Sequence, residues 1–183
     1  TDVDCPDGTK AKMSFEEVDP IPCKKSQYNK NGPNVNVILF QDSNWKYRGV
    51  DGTLAKTSVT YNDDTGEIYD ADIEVNTANN EVTITDDSAK IQYDLQAIMT
   101  HEVGHFIGLA HSRVPDSIMV ETHCQHEPRC ADVETARSLS DDDVAAVCAM
   151  YPPEGQAGVL YEPPATHACA LSSWSSTRRD TMI

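Results

Sequence analysis

Apolar and polar positions alternate with a period of two in three stretches of the chain. In residues 34–40 (NVNVILF), Val35, Val37 and Leu39 fall on one side and Ile38 and Phe40 on the other, which predicts a strand. Residues 53–61 (TLAKTSVTY) are β-branched and alternating. Residues 62–66 (NDDTG) then supply turn chemistry before residues 67–76 (EIYDADIEVN) resume the alternation, so a hairpin is expected. A weaker patch, residues 12–18, sets Met13 and Phe15 between polar partners in an opening otherwise broken by Pro6, Gly8, Pro20, Pro22, Gly32 and Pro33. From Tyr93 to Leu109 the period turns helical through Leu95, Ile98, Met99, Val103, Phe106, Ile107 and Leu109, with Asp94 as N-cap and Gly108 as the left-handed stop. A second helix is expected to start at Ser140, with Asp141, Asp142 and Asp143 in its first turn, and to end at Tyr151-Pro152-Pro153. Residues 154–183, rich in Pro, Ser, Ala and Thr, read as an extended tail.

Composition narrows the class. The 183 residues are 39% hydrophobic, enough for one domain's core, and contain no apolar run of membrane-spanning length. With 14 Lys plus Arg against 30 Asp plus Glu, the net charge of −16 repels phosphate backbones and anionic lipid, so neither nucleic acid nor a membrane is an expected partner. The six cysteines, Cys5, Cys23, Cys124, Cys130, Cys148 and Cys169, form no CxxC pair, which favours disulfides and a secreted, extracellular chain. The expected pairing is Cys5–Cys23, Cys124–Cys130 and Cys148–Cys169. Thr1 opens on no charged and then apolar leader, as expected of a processed chain.

The chemistry is concentrated in residues 101–111, HEVGHFIGLAH, which read HExxHxxGxxH. On a helix His101 and His105 lie one turn apart and project from the same face, so their imidazoles can converge on one zinc ion. Glu102 sits beside them, placed to take a proton from water rather than to ligate. Gly108 lets the chain leave the helix and bring His111 to the third corner. A fourth position stays open, the arrangement of a catalytic rather than a structural site. Chance alone would produce the full pattern in a chain of this composition about once in fifty thousand.

These residues, with Ser117-Ile118-Met119 beyond His111 and residues 139–143 (LSDDD) leading to Tyr151-Pro152, resemble the metzincin clan of zinc endopeptidases and, within it, the matrixins. The resemblance implies an α+β fold, a twisted mixed sheet with an active-site helix, a Met-turn and a C-terminal helix, over residues 1–153, with 154–183 as tail. Matrixins open with a strand and a long helix before the element that residues 14–18 would represent, so those two elements are expected upstream of Thr1 in a precursor. The resemblance further implies one catalytic zinc on His101, His105 and His111, Glu102 as general base, Met119 as an apolar floor beneath the metal, and an extended peptide substrate pairing along Ile73, Glu74 and Val75. No His precedes His101, so no second zinc is expected, and the chain is expected to be monomeric.

Two readings stand for Asp63, Asp64, Glu67, Asp70, Asp72 and Glu74, a calcium site or a solvated acidic turn. His123 and His126 read as a disulfide-pinched pocket loop with a second metal as the alternative, and His167 and Cys169 as a blocking pair or, for Cys169, a disulfide. The expected activity is zinc-dependent cleavage of polypeptides. The alternative is an inactive or latent zinc-containing binding module, against which Glu102 argues because a zinc-pinned binder needs only the ligands.

Overall fold

The computed structural model describes residues 3–47, 53–87, 91–121 and 136–152, and the backbone of 178–182. Its main sheet has four strands: β1 (Ile38–Phe40), β2 (Ala55–Tyr61), β3 (Ile68–Val75) and β6 (Arg178–Met182), in the order β1-β3-β2-β6. β1 runs parallel to β3, and β2 antiparallel to both β3 and β6. A short parallel pair, β4 (Val82–Thr83) and β5 (Tyr93–Asp94), leads into helix α1 (Leu95–Phe106), and helix α2 (Asp141–Met150) follows later. This is the α+β architecture expected. No helix among the described residues is long and apolar enough to cross a membrane.

Local chemistry explains where these elements begin and end. The β2–β3 hairpin closes where the Asn62 side chain accepts from the Asp64 and Thr65 amides and Gly66 takes a positive φ of 76°. Asp94 caps α1 by accepting from the Ala97 amide at 2.8 Å. The same carboxylate receives Arg137, whose guanidinium also reaches Asp86. At its far end Gly108, at φ 98°, donates to the His105 carbonyl while Leu109 donates to that of Gly104, closing a Schellman turn. Ser140 and Asp143 form a reciprocal capping box on α2.

The core lies on both sides of α1. Above it, Leu54, Ala55, Ile73, Val75 and Ile98 pack together with Met99, Val103 and Phe106 around them. Below it, Val3, Cys5, Ala11, Ile107, Leu109, Met119 and Val147 form a second cluster. Cys5 is bonded to Cys148 of α2, which corrects the expected Cys5–Cys23 and Cys148–Cys169 pairings. The physical reason is this lower cluster, which brings the chain's opening onto α2. Cys23 is also disulfide-bonded. Cys124–Cys130, His123, His126, His167 and Cys169 fall outside the described residues.

Three further expectations change. Residues 12–18 form no strand; the segment is tied down by Lys12, which donates to the Tyr151 carbonyl, and by the ring of Phe15 against Phe106. The strand expected over 34–40 keeps only three residues, and Ile38 and Phe40 are about half exposed on it. The expected substrate strand is corrected as well. Ile73, Glu74 and Val75 are fully buried, and their main chain pairs with β1 on one side and β2 on the other. An interior strand has no edge to offer a peptide.

The outward face of the hairpin is likewise covered rather than solvated. Asp70, Asp72 and Glu74 are buried, and residues 26–47 close over them: Glu74 accepts from Ser26, Gln41, Tyr47 and Lys46, and Asp72 accepts from the Val37 amide. Burial pushes the Glu74 carboxyl up, but the hydrogen bonds from Tyr47, Ser26 and Lys46 outweigh it and hold the group below its ordinary range. Asp63, Asp64 and Glu67 stay in the exposed turn. The six carboxylates therefore divide between two environments and make no single site.

Candidate metal centre and general base

Helix geometry places His101 and His105 on one face, and the turn at Gly108 swings His111 against them. The three ring centroids lie 4.6, 4.7 and 5.3 Å apart, and one nitrogen from each ring can be chosen so that all lie within 4.8 Å of one another. Among the described residues this is the sole grouping of three or more His, Cys, Asp or Glu that could hold a metal ion.

Backbone carbonyls set the ring orientations. His101 Nδ1 lies 2.7 Å from the Ile118 carbonyl and His105 Nδ1 lies 2.7 Å from that of Leu109. A carbonyl only accepts, so both Nδ1 atoms carry a proton, and in the neutral ring that leaves the lone pair on Nε2. Nε2 of His105 and of His111 is buried with no hydrogen-bond partner among the described residues. Burial, with His111 nearby and despite the Leu109 bond, lowers the His105 pKa to about 4, and burial lowers that of His111 as well. Converging imidazoles, those of His101 and His105 oriented by carbonyls, are the kind of donor set that can hold zinc.

Glu102 is fully buried on the flank of α1 that meets β2. Its Oε2 accepts from the Thr57 hydroxyl, which anchors that oxygen, and its Oε1 is buried with no hydrogen-bond partner among the described residues. Burial raises its pKa to about 8 against the opposing pull of Thr57 and Lys56. One oxygen is thus anchored and the other is available to a water or a substrate proton.

Below the histidines lies the loop carrying Met119, which is buried and packs against Gly104. A Cβ at Gly104 would stand 2.2 Å from the Met119 sulfur. Gly104→Ala therefore forces that side chain to move, and the overpacking exceeds the roughly 1 kcal/mol that alanine gains over glycine in a helix. A net loss of about 1–2 kcal/mol is expected, read as a lowered melting temperature. An unchanged or raised melting temperature would show that Met119 yields at no cost.

Asp143, which the sequence offered as an acid of the helix's first turn, ties this loop to α2. Its carboxylate accepts from the Ser117 hydroxyl at 2.5 Å, the Ile118 amide at 3.0 Å and the Ser140 amide and hydroxyl. Since Ile118 also supplies the carbonyl that orients His101, one carboxylate fixes both the loop and, through it, a ligand. Burial pushes Asp143 up, but the bonds from Ser117, Ile118 and Ser140 prevail and leave its pKa below the ordinary 3.8. Its contribution is complete above about pH 4 and is lost as the pH falls through the folded-state value. Asp143→Asn should remove about 2–4 kcal/mol at pH 7 and flatten the acid limb of stability below about pH 4. Urea unfolding at several pH values checks this, and a parallel offset at every pH would refute the assignment.

Thr57 and Gly104 also went unmarked. Gly104 carried a signal, an isolated glycine inside a helical pattern. Thr57 carried none, because its role depends on which strand lies over α1.

Three converging imidazoles, two buried and that of His111 partly buried, stand beside a half-anchored carboxylate, a donor set that could hold a metal ion. The matrixin family model matches residues 12–152, and the chain belongs to that family. It is 30% identical over 118 residues to metalloendoproteinase 4-MMP of Arabidopsis thaliana, covering 64% of this chain and 31% of that protein. It is 36% identical over 77 residues to metalloendoproteinase 1-MMP of the same plant, covering 40% of this chain and 19% of that protein. With human matrix metalloproteinase-26 the identity is 39% over 59 residues, covering 32% of this chain and 20% of that protein. The matched stretches thus span 19% to 31% of those relatives' lengths. No solved structure matches the chain.

Proposed function

We propose that this chain is a secreted, monomeric zinc endopeptidase that hydrolyses peptide bonds in extended polypeptides. The observation that carries the reading is the pairing of buried Nε2 atoms on His105 and His111 with a buried Oε1 on Glu102, none of which has a hydrogen-bond partner among the described residues. Histidines that served only the fold would have found partners for those atoms. His101, His105 and His111 would hold the zinc, which when bound supplies Lewis acidity toward water and a substrate carbonyl. Met119 and Gly104 form the apolar floor. Glu102 holds water by Oε1, takes its proton as the nucleophile attacks, and passes a proton to the leaving amine. Thr57 keeps the carboxylate from rotating away during that exchange.

β2 is the strand over this centre, since Thr57 reaches Glu102 from it. An extended substrate would therefore pair with β2, not with β3, main chain against main chain. Cleavage of a quenched general protein substrate, abolished by a zinc chelator and restored by added zinc, tests the reading. Absence of cleavage by zinc-loaded protein would refute it and favour the zinc-pinned binding module.

A further inference from the structure

Resting on that reading, we propose that Arg178–Met182 is a built-in competitor for the substrate edge of β2. The sheet leaves β2 one side that β3 does not use, and β6 occupies it. The pairing is antiparallel: Lys56 faces Met182, Thr57 faces Thr181, Ser58 faces Asp180, Val59 faces Arg179 and Thr60 faces Arg178. Thr57, the residue whose hydroxyl holds Glu102, is thus inside the covered stretch. No extended peptide can pair with β2 at that point while β6 is in place, because each outward amide and carbonyl is already used.

The contact is suited to exchange. Main-chain pairing is indifferent to sequence, so a substrate strand can make the bonds that β6 makes. Five residues is a short edge strand, held only along one side. Its advantage is tethering, which gives it an effective concentration on the order of millimolar. A segment with an intrinsic dissociation constant about tenfold below that would raise the apparent KM of a substrate about tenfold, with kcat unchanged. Extended peptides in excess displace it, so the device sets a threshold on substrate concentration.

Two variants test this in the whole chain's context. One ends at residue 177. The other keeps every residue but carries Asp180→Pro and Thr181→Pro; in an antiparallel ladder alternate residues face the partner, so two successive prolines remove at least one bond to β2. Three readouts are expected to agree. KM for a quenched extended peptide falls about tenfold in both variants while kcat stays within twofold. A labelled extended peptide, followed by fluorescence anisotropy on the Glu102→Gln background, binds about tenfold tighter. The outward amides of Lys56–Thr60 lose hydrogen-exchange protection, and a synthetic peptide of residues 178–182 restores it and competes with the labelled peptide. Unchanged KM, unchanged peptide affinity or unchanged protection in both variants would overturn the proposal. The anisotropy and exchange arms need no turnover, so a protein that cleaves nothing defeats the peptidase reading and still decides this one.

Discussion

Glu102→Gln is expected to lower peptide turnover by at least the 10²- to 10⁴-fold that general-base catalysis contributes, with zinc content and melting temperature unchanged. The geometry makes the substitution unusually clean. Glu102 Oε2 accepts from the Thr57 hydroxyl. A glutamine in this place keeps that bond by turning its carbonyl oxygen to Thr57, which puts the amide NH₂ where Oε1 stands. An amide nitrogen there donates and cannot accept a proton at neutral pH, so the group that should activate water instead competes with it. The loss should fall on kcat, because in the proposed reading substrate affinity depends on the β2 edge. Zinc analysis and steady-state kinetics on the same preparation make the comparison. Turnover within a few-fold of the parent, at full zinc occupancy, would remove Glu102 from the mechanism.

The parts of this molecule that local chemistry decides were legible in the sequence. Asp94 and Ser140 cap their helices, Gly108 takes the left-handed turn, and the Asn62 to Gly66 turn closes the hairpin, each through contacts within a few residues. The three histidines were legible for the same reason: two lie a turn apart on one helix, and the third follows a stop that glycine marks. What depended on strand order was not. Residues 68–75 look like a strand from their pattern, but nothing in that pattern says that β1 and β2 flank it, so an interior strand was assigned to the substrate. The same ignorance hid Thr57. Alternation also misled at Asp70, Asp72 and Glu74: a polar side usually faces water, yet here residues 26–47 return over it and supply hydroxyl, amide and ammonium partners. The Cys5–Cys148 bond joins positions 143 residues apart and follows from the lower core, which no spacing rule encodes.

His105→Ala is expected to abolish both zinc retention and hydrolysis, a larger effect than Glu102→Gln because it removes the metal's support as well as the reaction. His105 is 2% exposed and oriented through Nδ1 by the Leu109 carbonyl. Losing only a supporting hydrogen bond to a ligand costs about 10- to 100-fold in metal affinity, and losing the ligand itself must cost more. The remaining pair, His101 and His111, have ring centroids 5.3 Å apart, the widest separation of the three. The cavity left in the core raises a second explanation for lost activity, unfolding, so the variant is compared with the chelator-stripped parent by circular dichroism and urea melting. A fold matching the stripped parent, zinc below a tenth of one ion per chain and no detectable cleavage is the expected result. Retention of one zinc per chain with parental affinity would place the metal elsewhere and overturn the assignment of the centre.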